Sequence, residues 1–68
     1  MEASIRHFIK QNFKNATCEE LQIAINDAIK TSDEVSLPGL GVLFEVLWQN
    51  SDDSFKANAS KTINNFLK

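Results

Sequence analysis

Cysteine is nearly missing from this sequence. One residue, Cys18, is present, so the chain forms no internal disulfide and no cysteine-rich zinc site. A secreted domain of 68 residues would ordinarily be stapled by several disulfides. An excess of positive charge is also missing. Seven Lys and Arg oppose nine Asp and Glu, a formal net charge of −2, whereas a strong electrostatic grip on nucleic acid needs a basic surplus. No run approaches the roughly 18 apolar residues required to cross a membrane. The opening Met-Glu-Ala-Ser-Ile-Arg-His lacks the basic, apolar and small-residue succession of a signal peptide, so the expectation is an intracellular protein with no membrane partner. Histidine occurs once, as His7. No companion ligands or nucleophile stand at useful spacing, so neither a metal site nor a catalytic histidine is expected.

What is present is ordinary globular material. Hydrophobic residues make up 43% and charged residues 24%, which argues against disorder. The length allows one domain, residues 1–68, with a small core and marginal stability.

Four segments follow from periodicity. From about Ala3 to Lys14, Ile5, Phe8, Ile9 and Phe13 share a helical face, beside a basic stripe of Arg6, Lys10 and Lys14. Thr17-Cys18-Glu19-Glu20 has capping-box spacing. It predicts a helix with Leu21, Ala24, Ile25, Ala28 and Ile29 on its buried face and Ile23 pointing away. Cys18, beside that face, reads as small apolar filler or a thiol activated by the helix N-terminus. Residues 31–34 read as a loop. The fourth segment, from about Asp52 to Lys68, has Ser51 or Asp52 as its cap. Its apolar face is Phe55, Ala59, Thr62, Ile63, Phe66 and Leu67.

The third segment, Val35 to Trp48, is ambiguous. As a helix, Pro38 sits in its first turn, where a missing amide hydrogen costs nothing. Val42 to Trp48 is then apolar nearly all round and belongs in the centre of a bundle. As strands, Val35–Leu37 and Val42–Trp48 would form a hairpin around Pro38-Gly39-Leu40-Gly41. Valines and aromatics favour strand, but a lone hairpin is marginal and nothing else in the chain reads as strand. The expected fold is therefore all-α, four helices with the third central. Two helices plus a β-hairpin at 35–48 is the alternative.

Glu45 is the only charge between Val35 and Gln49. It is either buried and paired, with Arg6 the first choice of partner, His7 the second and Lys10 the third, or it lines a solvent edge with Gln49. The other carboxylates come mainly in adjacent pairs suited to helix first turns or a loop. Gly39-Leu40-Gly41 lacks the further residues of a phosphate-binding loop. Catalytic residues, metals and cofactors are therefore not expected. Ile23, Leu40, Leu47 and Trp48 are apolar side chains that a small bundle would not fully cover. They form the candidate interaction surface, and a homodimer is the expected assembly.

The block Leu37-Pro38-Gly39-Leu40-Gly41-Val42-Leu43-Phe44-Glu45-Val46-Leu47-Trp48 resembles the centre of the small, acid-soluble spore protein I family. Ile5-Arg6-His7 and Asp27-Ala28-Ile29 are similar to further family positions. The resemblance implies a sporulation-specific protein made in the forespore and resident in the spore core. It implies no enzyme activity, no cofactor and an unidentified spore-core partner. It also implies a family distinct from the abundant spore proteins that coat DNA. A bacterial histone-like DNA-binding protein is the second reading, because two helices followed by a Leu-Pro-Gly-Leu-Gly turn are similar to its start. The basic arm of that family is missing here. A small protein-interaction module is the third reading.

Overall fold

The structure is a computed structural model that describes residues 2–31 and 34–68. It is helical throughout its regular elements. Helix α1 spans Glu2–Phe13, α2 Cys18–Thr31, α3 Leu37–Gln49 and α4 Asp53–Leu67, and a single 3-10 turn, Glu34–Ser36, leads into α3. The predicted loop at 31–34 falls partly on Ser32 and Asp33, outside the described residues. On either side of them, Thr31 ends α2 and Glu34 opens the 3-10 turn.

The helix starts follow from their caps. The Thr17 amide donates to Glu20 Oε1 at 3.0 Å, and the Glu20 amide donates to Thr17 Oγ1 at 3.1 Å. Two amides at the head of α2 that lack intrahelical partners are thereby satisfied. Asp52, rather than Ser51, caps α4, its carboxylate accepting from the Phe55 amide at 2.8 Å. Ser51 instead donates to the Leu47 carbonyl at 2.6 Å, and Asn50 Nδ2 donates to the Val46 carbonyl at 2.8 Å. The last turn of α3 is thus closed by the two residues that follow it.

The hairpin alternative at 35–48 is wrong, since Leu37–Gln49 is one continuous helix with Pro38 in its first turn. Ser36 already has helical backbone angles, φ −82° and ψ −14°, and makes no side-chain cap. The 3-10 turn feeds directly into α3 and supplies the start that a polar cap would otherwise provide.

Helices α1 and α2 both pack on α3, and α4 touches the remainder sparsely. On the α1 side, Ile9 Cδ1 lies 3.5 Å from where a Cβ on Gly39 would stand. A Cβ there would make ordinary van der Waals contact, so the packing of α1 on α3 does not require glycine at this position. Enclosure of α3 is only partial. Among the described residues, Val42 is the only buried hydrophobic one, at 6% exposure, while Phe44, Val46 and Leu47 of the same helix are exposed. The radius of gyration is 13.1 Å, against about 11 Å for a close-packed chain of this length. The helices are well formed, but their apolar faces are incompletely covered.

Candidate functional site

Two features on opposite faces of α3 define the site. On the face towards α1, Arg6 and Glu45 form a fork. Arg6 Nε donates to Glu45 Oε1 at 2.7 Å and Arg6 Nη2 donates to Oε2 at 2.8 Å. The sequence places the two residues on different helices. The packing of α1 on α3 brings them together, and the planar guanidinium matches both carboxylate oxygens at once. The pair is half-exposed, with 46% and 41% of the side chains open to solvent. Glu45 is therefore a paired residue on a solvent edge, not a buried charge. The hydrogen bonds from Arg6 hold its carboxyl below the usual carboxylate range. Partial desolvation opposes this, and the charges of Arg6 and then Lys10 add to the lowering. Ile5, Pro38, Gly41 and Val42 surround the pair in a shallow depression of about 290 Å³.

On the opposite face lies an apolar groove of about 590 Å³ between α2 and α3. Leu21, Ile25 and Ile29 line one wall, and Leu40, Phe44 and Leu47 line the other, with Leu43 and Val46 completing it. A smaller cleft of about 260 Å³ marks where α1, α2 and α3 converge, between Ile9, Ala24 and Leu43.

The candidate interaction residues divide. Leu40 and Leu47 share the groove. Ile23 is exposed beside polar Glu19, Gln22 and Asn26, away from it. Trp48 stacks at a tilt on Phe44, with ring centroids 5.5 Å apart. Lys56 Nζ stands 5.7 Å from the centre of the Trp48 ring, which joins the start of α4 to the end of α3. Cys18 is exposed, so it does not serve as core filler. His7 is exposed as well.

The sequence model of small, acid-soluble spore protein I matches residues 3–67. The chain belongs to the small, acid-soluble spore protein I family. The family member from Bacillus licheniformis is 43% identical over all 68 residues, covering 97% of that protein. The Bacillus subtilis member is 43% identical and 96% covered, and a Geobacillus member is 41% identical and 96% covered. No solved structure matches this chain. The block from Leu37 to Trp48 that carries the family resemblance forms almost all of α3. It supplies Glu45 to the ion pair and one wall to the groove. The block that carries the resemblance is therefore the helix against which α1 and α2 pack. The histone-like reading loses its basis here, because it required a hairpin where the chain forms this helix.

Proposed function

We propose that this spore protein is a non-enzymatic, sporulation-specific protein of the spore core that works by presenting apolar helical surface to protein. The observation that carries the reading is the open groove between α2 and α3, built largely from α3. Contiguous exposed apolar surface of this kind is characteristic of protein contact sites. The carboxylates with assigned partners serve local structure. Glu20 and Asp52 cap helices, and Glu45 holds Arg6. The family match supports the sporulation assignment, and the acidic balance of the chain favours protein over nucleic acid as the partner.

A fluorescently tagged copy followed through sporulation tests the reading. The expected signal arises in the forespore and stays with the core fraction after the coat is stripped. Signal in vegetative cells, or loss of the signal with the coat, refutes it.

A further inference from the structure

The exposed surface of the chain is 5861 Å². A folded monomer of 7.6 kDa exposes about 4,300 Å². The excess, roughly 1,600 Å², is about twice what each partner contributes to a standard protein interface. Among the described residues, seven of the thirteen exposed large hydrophobics sit in two places. One is the α2–α3 groove. The other is the end of α4, where Phe66 is 86% exposed and Leu67 81% exposed, with Ile63 exposed beside them.

These two surfaces have matching dimensions. The groove runs along α2 from Leu21 to Ile29, a length of about 12 Å at the helical rise. Ala59, Ile63 and Phe66 fall on one stripe of α4 over about 10 Å. Their charges are also opposite. Helix α2 carries Glu19, Glu20 and Asp27 against Lys30, whereas α4 with the residue after it carries Lys56, Lys61 and Lys68 against Asp53. Most of these charges lie on the faces turned away from the two apolar stripes, so they steer approach at a distance and do not pair within the contact.

We propose that the groove is occupied by α4 of a second copy of this chain, in a reciprocal two-fold dimer in which Ile63 and Phe66 of each protomer enter the α2–α3 groove of the other. A two-fold arrangement uses both surfaces twice and leaves neither open, so the contact closes on itself instead of propagating into a filament. It is independent of the spore-core assignment, although it deepens the reading of the groove as a protein-contact surface.

Sedimentation equilibrium of the full chain from about 1 to 500 µM is the test, with circular dichroism to confirm that each variant remains helical. The unaltered protein is expected to dimerise. Leu47→Glu in the groove and Phe66→Glu on α4 each place a charge in the contact and are expected to weaken the dimer roughly 100-fold or more. An equimolar mixture of the two variants is expected to recover a dimer, because one of its two contacts then pairs an intact groove with an intact α4. Ile23→Glu, away from the groove, is expected to leave dimerisation unchanged. An unaltered chain that stays monomeric throughout overturns the proposal, whether α4 folds back over its own groove or a different protein fills it. So does a dimer that survives Phe66→Glu, which would mean that groove meets groove, and so does one that Ile23→Glu dissociates. None of these outcomes bears on the forespore signal of the tagged copy, so the two readings fail separately.

Discussion

Arg6 and Glu45, 39 positions apart in the chain, are held by two parallel hydrogen bonds of 2.7 and 2.8 Å. This contact ties α1 to α3 through side chains that remain half open to water. Screening by that water limits what the pair adds to stability, while the fork geometry fixes the register of the two helices.

The first prediction is a double-mutant cycle on this pair. Arg6→Ala and Glu45→Gln are each expected to lower the melting temperature by only a few degrees, with a small positive coupling between them. Arg6→Lys is expected to recover only part of the coupling, because an ammonium cannot present two parallel donors. Thermal melts of the four proteins measure this, and strictly additive effects would show that the fork contributes nothing.

The second concerns pH. Glu45 titrates below the ordinary carboxylate range in the folded chain, chiefly through its hydrogen bonds with Arg6. A depressed folded pKa gives a contribution that is complete above the unfolded value, near 4.5, and is lost as pH falls through the folded value. Stability is therefore expected to decline on acidification below that point, and to decline less in Glu45→Gln. Carboxyl chemical shifts across a pH series locate the midpoint, and a midpoint at or above the model-peptide value contradicts the pairing.

The third concerns the two glycines of α3. A Cβ on Gly41 would meet nothing within 4 Å, and one on Gly39 would make ordinary contact with Ile9. Gly41→Ala is expected to stabilise the chain by about 0.5–1 kcal/mol, because alanine restricts the unfolded chain and suits a helix interior. Urea titration measures the change. A destabilised Gly41→Ala would mean that the backbone at 41 departs from ordinary helix.

The fourth concerns the capping box. Thr17→Ala removes the acceptor for the Glu20 amide and is expected to cost about 1 kcal/mol, with fraying confined to the start of α2. Amide hydrogen exchange at residues 18–21 reads this directly. Unchanged protection there would mean that water replaces the hydroxyl without loss.

The fifth concerns nucleic acid. With a net charge of −2, the chain is expected to give no shift of duplex DNA at physiological salt. Micromolar binding that falls steeply with added salt would contradict this.

Much of this architecture is legible in the residues. Spacing of Ile5, Ile9 and Phe13, and of Leu21, Ile25 and Ile29, marks α1 and α2, and Thr17 and Asp52 announce the starts of α2 and α4. Helix α3 is harder to read, because its valines and aromatics suit a strand equally well. Pro38 in the first turn and the lack of a second strand pair favour helix. Glu45 stands out as the lone charge in an apolar run, and Arg6 as the donor able to match it. Their exposure is not legible, since it depends on how closely α1 lies against α3. The same holds for the groove. Periodicity gives each helix an apolar face, but the crossing of α2 over α3 decides which faces meet, so Leu40 and Leu47 enter the groove while Ile23 and Trp48 do not. Reading α3 as enclosed assumes that α4 lies down on it, and α4 does not.

The hydrogen bonds at the corner between α3 and α4 all run between near neighbours. Asn50 and Ser51 reach back to the carbonyls of Val46 and Leu47, and Asp52 reaches forward to the Phe55 amide. Every one of these bonds spans three or four residues, so the corner forms without waiting for distant parts of the chain to arrive. Helix α4 is in consequence a finished arm before anything binds it. Its backbone has already surrendered its freedom, and an encounter that buries Phe66 need order little more than side chains. In the proposed dimer the docking of α4 therefore orders little backbone, and collision and orientation set its rate.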